Sequence, residues 1–135
     1  MNFPVVFTGK VISGNQLGRT IGFPTVNIPV AENQVCSLVK GVYAARVLYN
    51  QNWYDGMANL GIRPTIKDNH FLLEINIFDF SEDIYDKEIT VYLYDFIREE
   101  KEFPGLDELK DQIINDKKII LQILRLRSKP DSDTQ

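Results

Sequence analysis

Along the first hundred residues, apolar positions alternate with polar ones in short runs broken by Gly, Pro and Asn. Residues 5–13 alternate loosely and stop at Gly14. Residues 41–49 are rich in Val, Tyr and Ala. The polar triplet Asn50, Gln51 and Asn52 predicts a hairpin turn into a second run over 53–60. Residues 71–80 form the clearest strand pattern, dense in β-branched and aromatic side chains, and residues 87–98 form the next. Residues 81–86, between them, are polar and turn-like. In the 71–80 run a period of two sets Leu73, Ile75 and Ile77 on one face. Leu72, Glu74, Asn76, Phe78 and Phe80 then share the other. Five or six strands at this spacing suggest a small antiparallel barrel or sandwich. The period changes at the end of the chain. Leu106, Leu109, Ile113, Ile120 and Leu124 recur at helical spacing after Pro104 and Gly105, with Asp107 and Glu108 in the first turn. One helix is predicted over 106–126, interrupted near Asn115 and Asp116. Residues 1–127 read as one domain and 128–135 as a polar, disordered tail.

The chain has 135 residues, which suits one domain and is too short for two. Fifteen Lys and Arg against nineteen Asp and Glu give a formal charge of -4. That balance argues against general nucleic-acid binding, which needs a basic footprint. Cys36 is the only cysteine and His70 the only histidine, so an intrachain disulfide and a cysteine-rich zinc site are excluded. Cys36 reads as a small packing residue, and His70 as the start of a strand. No apolar run approaches the ~20 residues of a membrane span, and the N-terminus lacks the pattern of a signal peptide. A cytoplasmic, reduced, monomeric protein without membrane or nucleic-acid partners is the expectation.

Five segments carry candidate chemistry. Residues 9–22 hold four of the eight glycines, with Lys10 and Arg19 alongside. Glycine lets backbone N–H groups approach an anion closely, so this stretch reads either as a phosphate cradle or as tight turns between strands. Neither a Walker loop nor a Rossmann fingerprint is present. Next, Pro24 and Pro29 hold the segment between them extended, so that Thr25 and Asn27 share a side. A hydroxyl and an amide oxygen side by side are hard ligands that suit Mg²⁺ bound with phosphate; the commoner role of such residues is a local backbone bond. Third, Glu74 is one carboxylate in an apolar strand. It is either a surface residue or, half-shielded from water, a general base. Further on, Arg98 and Lys101 suit an anionic or polar ligand and Phe103 an aromatic ring, or the tract 97–104 is a solvated connection. Residues 57–65 read as a ligand lip or a connecting turn.

Taken in order, four blocks resemble the riboflavin kinase family, which also supplies the C-terminal half of bacterial bifunctional FAD synthetases. They are Gly9 and Gly14 through Gly18, Arg19, Gly22, Phe23, Pro24, Thr25 and Asn27; Ala58, Asn59, Leu60 and Gly61 with Arg63, Pro64 and Thr65; Glu74 followed by Asp83, Ile84 and Tyr85; and Ile97, Arg98, Glu100, Lys101 and Phe103 leading into Leu106, Leu109, Ile113 and Asp116. The resemblance implies a mainly β fold, a six-stranded antiparallel Greek-key barrel with a C-terminal helix. It implies transfer of the γ-phosphoryl group of ATP to the ribityl 5′-hydroxyl of riboflavin, giving FMN and ADP. It implies Mg²⁺ with ATP, or another divalent ion in its place. By the same resemblance Glu74 is the catalytic base, and Thr25 and Asn27 hold the metal with the phosphates. Gly14, Arg19, Ile77, Asp79 and Tyr85 join Thr25 and Asn27 at the nucleotide; Arg98, Lys101 and Phe103 surround the flavin. Asn59 and Arg63 belong to the shared motif without assigned contacts. Where the family often has Gly after the tyrosine of the Tyr85 turn, this chain has Asp86, which tolerates left-handed backbone. The adenylyltransferase half lies outside these 135 residues, so chemistry ending at FMN is expected, from a stand-alone kinase or from one domain of a larger enzyme. The rival reading is a non-catalytic Greek-key module that binds nucleotide or flavin without using Glu74.

Overall fold

The computed structural model describes residues 3–15, 22–64 and 69–130. Seven strands make one sheet: β1 (Val5–Lys10), β2 (Ser13–Asn15), β3 (Thr25–Val30), β4 (Gly41–Tyr49), β5 (Asn52–Pro64), β6 (Asn69–Ile77) and β7 (Glu88–Arg98). Helix α1 (Glu32–Val35) follows β3, and helix α2 (Leu106–Arg125) follows β7. The strand order is β1-β7-β4-β5-β6-β3-β2, and every pairing is antiparallel. Strands β4, β5 and β6 are consecutive neighbours and β3 returns beside β6, which is the Greek-key arrangement.

The sheet curls until its ends nearly meet. The seam is drawn together by two successive amides just after β1. The Val11 N–H bonds the Lys87 carbonyl at 2.9 Å, while the Ile12 N–H bonds the Asn27 carbonyl of β3 at 2.9 Å. Closure hides the edges that an open sheet would expose. The predicted barrel with a C-terminal helix is therefore present: six long strands, with β2 as a three-residue addition at the rim.

Alternation sorts the side chains into two cores. Phe7, Ile28, Tyr43, Val47, Leu60, Leu73, Ile75, Ile77, Val91 and Leu93 fill the barrel. Val42, Ala44, Met57, Phe78, Tyr92 and Tyr94 point outward and are covered by Ile120 and Leu124 of α2. Strand β4 is buried on both faces over most of its length, which explains its nearly continuous apolar sequence. The β4–β5 hairpin closes through Asn50 and Gln51, both at positive φ, the backbone that a two-residue hairpin turn requires. Arg46, buried on the outer face, donates to the Leu124 and Arg127 carbonyls at 2.6 and 2.9 Å. A cation there complements the C-terminal end of α2 and fixes it to the barrel.

Four details depart from the sequence expectation. Helix α2 runs without interruption through Asn115 and Asp116. Strand β6 ends at Ile77, because Asp79 adopts positive φ; the chain turns there, and Phe80 packs against the barrel core and the rings of Tyr49 and Tyr54 rather than beside Glu74. Cys36 is exposed at the end of α1, not packed. Helix α1 itself is too short to leave a periodic signal. Asp86 does take up left-handed backbone, at φ 66°, as its place in the Tyr85 turn requires.

Candidate active site

Antiparallel register assembles a row of side chains that the sequence keeps far apart. Asn27 of β3 stands opposite Glu74 of β6, and Glu74 stands opposite Asn59 of β5. Asn59 is opposite Val42 of β4, and Val42 is opposite Arg98 of β7. Directly opposed residues project to the same face with Cβ atoms about 5 Å apart. The row crosses the outer face of the barrel, beside the patch that α2 covers. One residue further along β6 and β5, Asn76 stands opposite Met57.

A cavity of about 460 Å³ opens over this row. Thr25, Asn59, Glu74, Asn76, Val42 and Met57 form its floor. Phe23, Phe103, Leu109 and Ile113 wall it, and Arg98, Glu100, Lys101 and Glu102 stand at its rim. The mixture of apolar walls and a few convergent polar groups suits a small organic ligand. The Asn59 amide oxygen is buried and has no hydrogen-bond partner among the described residues. An unmet buried acceptor is uncommon and marks a place where a ligand or water completes the bonding.

The rim is built by charge. Arg98 meets the buried carboxylate of Asp116 on α2, its Nε 3.1 and 3.0 Å from the two oxygens and its Nη2 2.9 Å from Oδ2. Gln112 donates to the same carboxylate at 2.9 Å. The guanidinium carbon of Arg98 and the Nζ of Lys101 lie 5.8 and 5.5 Å from the Phe103 ring centre. Two cations over one ring hold it by attraction to its π-face. The loop after β7 is thereby fixed against α2, with Phe103 turned into the cavity.

A second cavity, of about 500 Å³, lies on the other side of the 23–25 segment. Val11, Pro24, Thr25, Val26, Ile75, Ile77 and residues 80–85 line it. Asp83 shapes its outer turn by accepting the Tyr85 N–H at 3.0 Å. Thr25 lines both cavities.

The structure thus brings Thr25, Glu74, Arg98, Lys101 and Phe103 to the first cavity, and Thr25, Ile77 and Tyr85 to the second. Asn27 is buried beside Glu74 in the register. Asp79 is exposed at the turn after β6 and lines neither cavity, because its positive φ reverses the chain there. Gly14 sits in β2 paired with Val26, a rim strand rather than a loop. Arg19 lies outside the described residues, as do the other five residues of 16–21 and Thr65. Asn76 and Met57 were not singled out as site residues from sequence. The signal for Asn76 was its shared face with Glu74. Asp116 carried a signal too: a carboxylate between Ile113 and Ile120 on the apolar stripe of a helix.

Among the described residues, no cluster of three His, Cys, Asp or Glu side chains is placed to enclose a metal. Thr25 and Asn27 offer neutral oxygens instead, which fits a divalent cation that brings its remaining oxygens from water and phosphate. No helix among the described residues is long and apolar enough to cross a membrane.

The family model for flavokinase, riboflavin kinase, matches residues 1–124. The chain is 45% identical over 117 residues to the bifunctional riboflavin kinase/FMN adenylyltransferase of Escherichia coli, covering 86% of this chain and 37% of that protein. It is 41% identical over 127 residues to the trifunctional protein RibF/MnmA of Mycoplasmoides gallisepticum, covering 94% of this chain and 19% of that one. The chain therefore spans well under half the length of these curated relatives. A crystal structure described as a macrolide-efflux protein from Streptococcus pneumoniae superposes with a TM-score of 0.77 at 37% identity, over 87% of this chain and 38% of that one. Riboflavin kinase from Trypanosoma brucei superposes with a TM-score of 0.66 at 23% identity, over 92% of this chain and 82% of that one, a likeness of fold.

Proposed function

The chain belongs to the riboflavin kinase family, and on that premise we propose that it phosphorylates the ribityl 5′-hydroxyl of riboflavin with ATP, releasing FMN and ADP. Residues 1–127 form the kinase domain in this reading. The observation that carries it is Thr25 as the common wall of two cavities, with Glu74 on the floor of one of them. A phosphoryl transferase has to bring two substrates to one point, and two adjoining hollows that share one polar residue meet that need.

The flavin occupies the first cavity. Its ring packs on Phe103 between Leu109 and Ile113, near Arg98 and Lys101, and its ribityl chain runs along the polar floor. The nucleotide occupies the second cavity, beside Ile77 and Tyr85, with its phosphates directed to Thr25. Gly14 and Arg19 belong to the nucleotide side and Asp79 to its margin. Thr25 and Asn27 would hold Mg²⁺ alongside the phosphates. Bound there, the metal would supply positive charge that offsets the charge of the phosphates.

The ribityl hydroxyl is a weak nucleophile. Glu74 accepts its proton as the oxygen–phosphorus bond forms and the bond from γ-phosphorus to the bridging oxygen of ADP breaks. General-base assistance of this kind contributes roughly 10²- to 10⁴-fold, about 3 to 5 kcal/mol of barrier. The apolar walls exclude water, which would otherwise compete as acceptor of the phosphoryl group. The protein works as a cytoplasmic monomer in this proposal, without nucleic-acid or membrane partners.

Incubation with riboflavin and MgATP, followed by chromatographic separation of FMN, tests the reading, with EDTA as the control. FMN that appears only with the metal supports it. Tight flavin binding with no FMN formed favours a non-catalytic flavin-binding module instead.

A further inference from the structure

The two cavities are separated by a thin partition, the segment 22–25. Phe23 faces the first cavity, Pro24 the second, and Thr25 both. Gly22 at its head adopts φ 89°, backbone that glycine takes up without the strain a side chain would bring. A proline in the partition cannot donate a backbone hydrogen bond, so Pro24 can be held only through its carbonyl. That carbonyl accepts a hydrogen bond from the Asn76 amide nitrogen at 2.8 Å, across 52 residues of sequence. Asn76 is itself buried, and its backbone is held within β6, opposite Met57 of β5.

We propose that Asn76 is a positioning residue that pins the partition at Pro24, and through it fixes Thr25 between the nucleotide and flavin cavities. The proposal rests on the kinase reading. Its deciding readout, nucleotide affinity, does not depend on turnover. Asn76→Ala removes the donor. Asn76→Asp keeps the shape but turns the donor into an acceptor facing a carbonyl oxygen. Asn76→His restores a ring N–H at the same distance from the backbone as the amide nitrogen.

Binding of Mn²⁺·ADP is followed by electron paramagnetic resonance and riboflavin binding by quenching of flavin fluorescence, with circular dichroism to confirm folding. The Ala and Asp variants are expected to lose about tenfold or more in Mn²⁺·ADP affinity, and to raise the KM for MgATP similarly. Riboflavin affinity falls too, because Asn76 also lines the floor of the first cavity, but by a smaller factor than nucleotide affinity. The His variant recovers most of the loss. Ala and Asp variants that bind Mn²⁺·ADP like the wild type would overturn the proposal. So would equal losses of nucleotide and flavin affinity, or a His variant no better than Ala. If the Ala variant does not fold, the Asp and His pair decides. A wild-type protein that binds both ligands without making FMN sinks the kinase reading, while the nucleotide affinities still decide the role of Asn76.

Discussion

At the residue scale, Glu74 and Thr25 differ in chemistry although both line the first cavity. Replacing Glu74 with Gln keeps the shape but removes the proposed proton acceptor. Glu74→Gln is expected to lower turnover at least about a hundredfold, with riboflavin affinity little changed; near-normal FMN formation by that variant would remove Glu74 from the mechanism. Thr25→Ala removes an oxygen from the proposed metal and phosphate side. It is expected to weaken use of MgATP more than riboflavin binding, read from the Mg²⁺ dependence of the rate beside a fluorescence titration. The sequence identified these residues because their types stand out: one carboxylate among apolar neighbours, and a threonine and asparagine between two prolines. It marked Asn76 only as a neighbour on a face, since an asparagine's role depends on what its amide meets. Here that is a carbonyl 52 residues away in sequence.

At the scale of elements, the site depends on the seating of α2 against the barrel. The Arg98 to Asp116 pair joins the end of β7 to the middle of the helix, with the carboxylate almost wholly shielded from water. Removing the arginine leaves that charge buried with Gln112 as its remaining side-chain donor among the described residues. Arg98→Met is therefore expected to cost about 3 kcal/mol of stability, measured by urea unfolding, in addition to any loss of flavin affinity. Asn115 and Asp116 have only modest helix propensity. The helix continues because Asp116 has a cation facing it on β7, a partner that local sequence does not reveal. The end of β6 was misread for a related reason. The apolar run continues to Phe80, but the left-handed turn at Asp79 sends that ring back to the barrel core.

At the scale of the whole molecule, substrates bridge parts of the chain that are distant in sequence, so binding should tighten the fold. At a hundredfold excess over Kd, riboflavin is expected to add about 2.7 kcal/mol to stability, seen as a rise in the thermal midpoint that saturates with ligand. MgADP with FMN is expected to slow proteolysis in the loop between β7 and α2, whose Phe103 faces the first cavity; unchanged cleavage there would count against an ordering of that loop by ligand. The amino-acid order was sufficient to establish the strands with a period of two, the closing helix, the hairpin at Asn50 and Gln51, and the residue types able to do phosphoryl chemistry. These are properties of near neighbours along the chain, where alternation and turn preference act. Barrel closure decided the rest. The register that sets Asn27 and Asn59 on either side of Glu74, the helix that walls the first cavity, and the partition that puts Thr25 on both hollows all depend on pairings between strands far apart in sequence. Such pairings form only when the inner core is buried and the sheet's two ends bond each other across the seam.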